Sequence, residues 1–241
     1  MRLQTLLHAV FPPECLHCGA RVEQDFAVCG QCWGGIPFIF DTACDLCGID
    51  LPGQAAPGEV LICDACQTIA RPWDKGRAVF GYDGVGRSLV LGLKHGDRAE
   101  VARAAGPWMA RAGADLLRDD PVIVPIPLHW HRLAKRRFNQ AALLAQGLAR
   151  ETGLSCVPDA LVRPRATGSQ DGRDREGRFR NLDAALAPHP RHGARLVGRS
   201  VLLIDDVMTS GATFTAATEA AFRAGASRVC VMALARVARE A

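Results

Sequence analysis

The chain lacks the features that would place it in a membrane or an export pathway. None of its apolar runs is long enough to cross a bilayer. Leu3, Leu6 and Leu7 recur at helical spacing, but no small-residue cleavage site follows them. We therefore expect a short amphipathic helix at the N-terminus rather than a signal peptide. Together these absences predict a cytoplasmic protein without membrane insertion.

Aromatic residues are also scarce, and basic residues are scarce in the first part of the chain. One Tyr, four Trp and nine Phe offer few side chains for stacking on nucleobases. Residues 1–70 contain Arg2 and Arg21 as their basic residues and carry a formal charge of −6, whereas residues 71–241 carry +10. Nucleic-acid binding needs a basic surface, so the second part of the chain is the better candidate for it.

Cysteines, in contrast, are abundant and regularly spaced. Eight of the ten form Cys-x-x-Cys pairs, namely Cys15 with Cys18, Cys29 with Cys32, Cys44 with Cys47, and Cys63 with Cys66. In a cytoplasmic chain, this spacing indicates tetrahedral zinc rather than disulfides. Gly19 and Gly48 each follow a pair, where the backbone often needs a positive φ. A site with four cysteine ligands has no open coordination position, so we expect a structural role.

The spacing leaves the pairing of these cysteines open. A sequential arrangement places one ion on the first two pairs and another on the last two, but an interleaved arrangement has the same spacing. One set could also be degenerate, redox-active or empty, so one or two zinc ions are expected. Cys156 and Cys230 lie in apolar stretches and are interpreted as core residues.

The most informative stretch for function is Val201–Thr213. Apolar residues run from Val201 to Ile204 and end in an acidic pair. This pattern predicts a buried strand, a turn and a helix, whose N–H groups and dipole suit a phosphate while carboxylates accept sugar hydroxyls. Helix capping explains one Thr or Ser here but not the whole set. The set comprises Asp205, Asp206, Thr209, Ser210, Gly211, Ala212 and Thr213, and it looks like the phosphoribosyl-pyrophosphate (PRPP) signature of type I phosphoribosyltransferases.

Two parts of the chain are expected to fold differently. Residues 1–70 form the zinc module, and residues 75–241 form an α/β domain. Strands are predicted at 77–82, 122–124, 201–204 and 228–235, and helices at 88–94, 98–117, 139–152 and 212–224. Such alternation predicts a mostly parallel sheet flanked by helices, with ligands at the carboxyl ends of its strands.

Two arginine-rich segments suit a pyrophosphate leaving group. The first, residues 129–140, contains Arg132, Arg136 and Arg137 directly after a predicted strand. The second, residues 163–181, contains six arginines, including Arg178, with little apolar content. Solvated basic surface explains any single residue of the first, but their grouping favours binding; a disordered insertion is the alternative for the second. The functional interpretation is a cationic loop and a lid that close over pyrophosphate.

Nearly the whole chain resembles the ComF family (ComFC and GntX-like proteins), which joins a double zinc ribbon to a type I phosphoribosyltransferase domain. The resemblance rests on Phe11-Pro12-Pro13 before Cys15, Tyr82-Asp83-Gly84 with Lys94, Pro125-Ile126-Pro127-Leu128, Arg137-Phe138-Asn139-Gln140-Ala141, Gln170 with Arg178 and Asn181, and the Asp205 segment. It implies PRPP binding and, in several bacteria, a role in natural transformation through incoming single-stranded DNA.

Two functions follow from this resemblance. In a phosphoribosyltransferase, Asp205 and Asp206 would be the catalytic pair that accepts the ribose hydroxyls, and Mg²⁺ would assist departure of pyrophosphate as the ribose passes to an acceptor, for which a nucleobase is a candidate. The alternative is a non-catalytic protein that senses PRPP or handles single-stranded DNA through its basic C-terminal domain. In either case, the acidic zinc module suits docking of a protein partner.

Overall fold

The computed structural model describes residue 8 and residues 11–40, 42–56, 58–95, 98–128, 138–164 and 186–238. Within these ranges, no helix is both long and apolar enough to cross a bilayer. The described chain folds into a four-stranded sheet with helices on both faces, preceded by the cysteine-rich module.

Six strands form two sheets. They are β1 (Lys75–Gly81), β2 (Val122–Pro125), β3 (Leu161–Val162), β4 (Ala187–Pro188), β5 (Ser200–Met208) and β6 (Arg228–Arg236). The main sheet has the order β1-β6-β5-β2, and each of its neighbouring pairs is parallel. β3 and β4 form a small antiparallel pair. The predicted fold class, a parallel sheet flanked by helices after a double zinc ribbon, is confirmed.

The described helices of the α/β domain lie near the predicted positions with some different bounds, whereas no prediction covers the two short helices of the zinc module. They are α1 (Gly30–Gly34), α2 (Asp64–Thr68), α3 (Gly84–His95), α4 (Val101–Ala112), α5 (Gln140–Thr152) and α6 (Ala212–Arg223), together with a 3₁₀ turn at Gly193–Leu196. The predicted helix at 98–117 is shorter in the structure, because Gly113 ends α4 and turns follow it. α5 agrees with its prediction, since the Asn139 side chain caps it by accepting a hydrogen bond from the Ala141 N–H.

Two apolar layers lie on opposite faces of the sheet. Val201 and Leu203 of β5 pack with α6 on one face, and Leu202 and Ile204 pack towards α3, α4 and α5 on the other. This alternation is the period of two that a strand imposes on its side chains. The α6 layer also contains Cys44, Cys47 and Cys66, so part of the zinc module lies within the main core.

The zinc module packs closely against the edge strand β1. Ile39 N–H donates to Val79 O at 2.9 Å, and Gly81 N–H donates to Pro37 O at 2.8 Å. Gly48 has a φ of +65° after its cysteine pair, as expected, and a Cβ there would lie 2.4 Å from the Ala78 nitrogen. The module and the α/β domain are therefore in direct backbone contact, while the boundary at residues 70–75 stays a prediction.

Candidate functional site

The eight paired cysteines form two clusters. Cys15, Cys18, Cys29 and Cys32 form the first cluster, and Cys44, Cys47, Cys63 and Cys66 form the second cluster; within each, the sulfur atoms lie within 4.8 Å of one another. The sequential pairing is thus the observed one. The Sγ atoms of Cys18 and Cys29 are 3.7 Å apart, as are those of Cys47 and Cys63. A tetrahedral zinc site with Zn–S bonds of about 2.3 Å needs sulfurs about 3.8 Å apart, so both clusters fit structural zinc.

The two clusters differ in depth. Cys44 and Cys47 of the second cluster are 0% exposed, whereas Cys18 of the first cluster is exposed. Backbone N–H groups donate to sulfur in both, from Cys29 to Cys15 Sγ at 3.2 Å and from Cys63 to Cys44 Sγ at 3.3 Å. Such donors stabilise thiolates that bind a metal ion.

The two remaining cysteines have the environment of core residues. Burial raises the pKa of the Cys156 thiol to about 11, and burial also raises the pKa of Cys230. A thiol that keeps its proton at neutral pH is a poor nucleophile. This agrees with their interpretation as packing residues.

The acidic pair lies inside a strand rather than after it. β5 extends to Met208, and Asp205 is in register with Ala233 of β6. Both carboxylates are half-buried near the carboxyl end of the sheet, and Asp206 N–H donates to Asp205 Oδ1 at 2.8 Å. The strand continues because pairing with β6 persists to the register of Met208 with Arg236.

The charges around Asp205 oppose one another. Burial raises the pKa of the Asp205 carboxyl to about 7, and the neighbouring charge of Asp206 adds to this increase. The Asp206 N–H, Lys94 and Arg163 lower the pKa by smaller amounts. Lys94 Nζ lies 3.8 Å from Asp206 Oδ2. The site therefore holds two close carboxylates whose repulsion a nearby ammonium partly compensates.

Lys94 connects the acidic pair to two further residues. Its Nζ lies 5.8 Å from the centre of the Tyr82 ring, and its carbonyl accepts a hydrogen bond from Gln140 Nε2 at 3.2 Å. The Tyr82-Asp83-Gly84 and Lys94 motif contributed to the family resemblance, yet none of these residues was a predicted site residue. The motif identified these residues, but only the structure shows that Lys94 lies beside the acidic pair.

The predicted phosphate-binding residues lie together at the carboxyl end of β5. We call residues 209–213 the phosphate loop. Gly211 has a φ of +84° and immediately precedes α6, whose first N–H groups have no acceptor within the helix. Ser210 Oγ accepts a hydrogen bond from the Ala212 N–H at 3.4 Å. Asp205, Asp206 and the phosphate loop thus lie in one continuous stretch at the carboxyl end of β5, while their roles stay predictions.

Two arginines that the sequence analysis did not include in the site donate hydrogen bonds to the backbone at the start of the phosphate loop. Arg71 Nη1 donates to Ser210 O at 2.7 Å. Arg236 Nη1 donates to Met208 O at 3.1 Å and to Thr209 O at 2.8 Å. Both act through contacts with distant parts of the chain, which no local sequence pattern indicates.

The predicted pyrophosphate residues lie outside the described residues. This applies to Arg132, Arg136, Arg137 and Arg178. Near the first of the two segments, Asn139 Nδ2 donates to Ile126 O at 2.9 Å, which joins the start of α5 to the carboxyl end of β2. The described residues that flank this segment therefore lie at the edge of the sheet where the acidic pair lies.

Comparison with known proteins adds the family. The family model for the double zinc ribbon domain matches residues 6–74. The DNA utilization protein YhgH of Salmonella typhimurium is 31% identical over 228 residues, which cover 92% of this chain and 89% of that protein. Competence protein F of Haemophilus influenzae is 26% identical, covering 92% of this chain and 96% of that protein. Competence protein ComFC of Bacillus subtilis is 26% identical, covering 83% and 84%.

Solved phosphoribosyltransferase structures are more distant. A hypoxanthine phosphoribosyltransferase from Staphylococcus aureus is 13% identical, with a TM-score of 0.35, over 56% of this chain and 62% of that chain. The two cysteine clusters, the parallel sheet and the relatives that match it almost from end to end lead to one assignment. This chain belongs to the ComF family.

Proposed function

We propose that this chain binds PRPP at the carboxyl end of β5. The observation that supports this most directly is the continuous arrangement of Asp205, Asp206 and the phosphate loop before the N-terminus of α6. A helix N-terminus favours a phosphate group, and adjacent carboxylates accept hydrogen bonds from ribose hydroxyls. Cysteine thiols stay reduced and available for zinc in the cytoplasm, so we place this binding there.

Each part of the site has its own role in the proposal. The N–H groups of residues 210–213 and the hydroxyls of Thr209 and Thr213 hold the 5′-phosphate. Asp205 and Asp206 accept the 2′- and 3′-hydroxyls, and Lys94 limits the repulsion between these carboxylates and the bound anion. Arg132, Arg136, Arg137 and Arg178 bind the pyrophosphate.

The same residues suit pyrophosphate displacement from the ribose. Breaking the bond between C1 of the ribose and pyrophosphate leaves positive charge on the sugar and negative charge on the leaving group. Asp205 and Asp206 stabilise the first, and the arginines stabilise the second. Mg²⁺ prefers oxygen ligands such as these carboxylates and the phosphates, and when bound it neutralises the pyrophosphate. A nucleobase is the candidate acceptor.

Calorimetric titration of the full chain with PRPP and Mg²⁺ tests binding. We expect saturable binding with one site, and an affinity at least tenfold lower for the Asp205→Asn, Asp206→Asn double variant, because charge-assisted hydrogen bonds are lost. Asp119→Asn is the matched control, since Asp119 is an exposed carboxylate that pairs with Arg228 at the amino end of β6. Absence of saturable binding by the wild-type chain, or equal affinity for the double variant, would refute the proposal.

Turnover needs a separate experiment. Consumption of PRPP is followed by chromatography with each common nucleobase as acceptor. Pyrophosphate release that depends on one base supports a transferase. Binding without consumption instead supports the non-catalytic alternative, in which the same site senses PRPP.

A second candidate function, binding of single-stranded DNA, is favoured by an aromatic groove where the zinc module meets β1. Trp33 is 48% exposed and Phe40 is 67% exposed, and Phe38 and Trp108 lie beside them. The ring centres of Trp33 and Phe38 are 4.7 Å apart, and those of Phe38 and Trp108 are 5.8 Å apart. The sequence suggested few stacking residues, but the fold brings these four together around a cavity of about 450 Å³.

Charges of both signs surround this aromatic groove. Arg111 and Arg118 line it, and so does Glu59. Asp45 and Asp115 line it too, but Arg77 Nη2 pairs with both, at 2.7 Å and 2.8 Å. Exposed rings next to arginines are the combination that binds bases and phosphates of single strands without regard to sequence. The names of the relatives refer to DNA utilisation and competence, which is consistent with this candidate.

Fluorescence anisotropy with a labelled oligothymidylate tests the aromatic groove. We expect the Trp33→Ala, Phe40→Ala double variant to bind at least tenfold more weakly, since stacking contributes about 1–3 kcal/mol per base. Phe222→Ala, which removes an exposed ring on α6, should bind like the wild type. Affinity should also fall as salt rises. Unchanged binding by the double variant would exclude the groove, and insensitivity to salt would exclude phosphate contacts.

A further inference from the structure

The second cysteine cluster and the phosphate loop contact the same guanidinium group. Arg71 Nε donates to Cys66 Sγ at 3.5 Å, and its Nη1 donates to Ser210 O at 2.7 Å. A guanidinium is planar and rigid, so the positions of its two acceptors depend on one another. Gly211 fits closely against the same group, because a Cβ there would lie 2.6 Å from Arg71 Nη1.

A second arginine repeats this arrangement. Arg236 Nη2 lies 3.7 Å from Cys47 Sγ, while its Nη1 donates to Met208 O and Thr209 O at 3.1 Å and 2.8 Å. The two arginines thus hold the backbone from 208 to 210 by three carbonyl groups. Each of them also reaches a different sulfur of the second cluster.

The burial of Arg236 indicates that the cluster carries negative charge. The side chain is 2% exposed, and among the described residues it forms no ion pair with a carboxylate. A buried cation without a counter-charge is strongly unfavourable. A zinc ion with four thiolates has a formal charge of −2, so the thiolates of a metal-bound second cluster supply the negative charge that Arg236 needs.

A third contact joins the second cluster to the start of α6. Trp73 Nε1 donates at 2.6 Å to the carbonyl of Leu46, which lies between Cys44 and Cys47. On its other side, the Trp73 ring packs edge-on against Phe214 of α6, with ring centres 6.2 Å apart. The helix whose N-terminus forms the phosphate site is therefore in contact with the metal-binding turn.

The first cluster has a different connection. Arg98 Nη1 donates to the carbonyls of Cys15 and Leu16, at 3.3 Å and 2.5 Å, and this contact ties the first cluster to the helical side of the domain. No described contact joins the first cluster to residues 208–213. Arg98 is therefore an internal control for an arginine that joins a zinc site to the domain without reaching the phosphate loop.

We propose that Arg71 and Arg236 are positioning residues that couple metal binding in the second cluster to phosphate binding in the loop. The metal class is a divalent ion with four thiolate ligands, and the coupled ligand is PRPP, so this inference rests on the proposed function. Metal in the second cluster fixes Cys47 and Cys66, which fix the two guanidinium groups and, through them, the carbonyls of residues 208–210. Binding at either site therefore strengthens binding at the other.

Equilibrium competition with a zinc chelator, with and without PRPP and Mg²⁺, tests the coupling on the full chain. In the wild type, PRPP should raise the affinity of one of the two zinc ions by about tenfold, within the usual range for coupled sites. Arg71→Lys keeps the charge but cannot bridge both acceptors, so it should retain two zinc ions and lose this effect. Arg236→Lys should behave in the same way, and Arg98→Lys should respond like the wild type.

The outcomes separate this inference from the proposed function. Wild-type PRPP binding together with unchanged coupling in Arg71→Lys would overturn the inference and leave the proposed function intact. If the wild type does not bind PRPP, the proposed function fails, and amide hydrogen exchange of residues 209–213 decides the inference instead. Exchange that becomes faster on zinc removal in the wild type and in Arg98→Lys but not in Arg71→Lys supports it, and exchange that does not depend on zinc overturns it. A merely structural role of Arg71 would lower stability without changing the effect of PRPP on zinc affinity.

Discussion

At the scale of single residues, the environment of Asp205 favours the protonated carboxyl, whereas its proposed role uses the ionised one. Its carboxyl is half-buried beside Asp206, and burial, followed by that neighbouring charge, raises its pKa to about 7. A carboxyl whose folded-state pKa exceeds the ordinary value of 3.8 contributes stability that is fully present below pH 3.8 and lost as pH rises towards 7. Ionised Asp205 is the better hydrogen-bond acceptor, so the proposed function uses the protonation state in which the folded protein is less stable.

Asp205→Asn should therefore change how stability depends on pH. Between pH 5.5 and pH 8, the free energy of unfolding of the wild type should fall relative to that of the variant by about 1–2 kcal/mol, because the asparagine cannot ionise. Above pH 8 the difference should stay constant. Urea unfolding at a series of pH values measures this, and parallel curves for the two proteins would contradict the assigned pKa.

At the scale of elements, the contact between α4 and α5 depends on two glycines. A Cβ at Gly147 would lie 2.5 Å from Ala102 O, and one at Gly106 would lie 2.9 Å from Gly147 O. The helix backbones approach each other where neither carries a side chain. Crossing at this distance sets the position of α5, whose N-terminus lies beside Lys94.

Gly147→Ala should destabilise the domain by about 1–3 kcal/mol, because the added methyl group must push the two helices apart. Gly92→Ala in α3 is the matched control, since a Cβ there would have ordinary contacts of 3.5 Å with Arg98. The control should be neutral or stabilising by up to about 1 kcal/mol. Urea unfolding midpoints of the two variants measure this difference. Equal effects would show that the close approach of the helices does not determine the stability loss.

The helices and strands also show which structural features can be predicted from the sequence. α5 is predicted almost residue by residue, because a capping Asn139 and a closing Gly153 are local signals. β5 runs four residues further than its apolar pattern, because its end is decided by register with β6 rather than by hydropathy. The four cysteine pairs and the Asp205 segment are likewise local in sequence. Arg71, Lys94 and Arg236 act through contacts between distant parts of the chain, and no spacing rule encodes these.

At the scale of the whole molecule, the two zinc sites should differ in their contribution to stability. The second cluster shares a core with Val201 and Phe214, whereas Cys18 of the first cluster is exposed. Loss of metal from the second cluster should therefore unfold part of the main core, while loss from the first should be confined to the module.

Cys63→Ser and Cys18→Ser compare the two sites with one ligand removed from each. We expect both variants to lose one zinc ion, and Cys63→Ser to lower the unfolding temperature by several degrees more than Cys18→Ser, since about 1 kcal/mol corresponds to a few degrees. Scanning calorimetry with a zinc assay measures both quantities. Equal decreases would show that the depth of the site does not determine its contribution.

The backbone pairing between residues 37–39 and β1 also bears on synthesis. A strand at the edge of a sheet has unpaired N–H and C=O groups that invite pairing with other chains. β6, the other neighbour of β1, is the last strand along the described part of the chain. A ribosome makes the zinc module immediately before β1 and β6 much later, so the module can pair with one side of this strand while the rest of the sheet is still being translated.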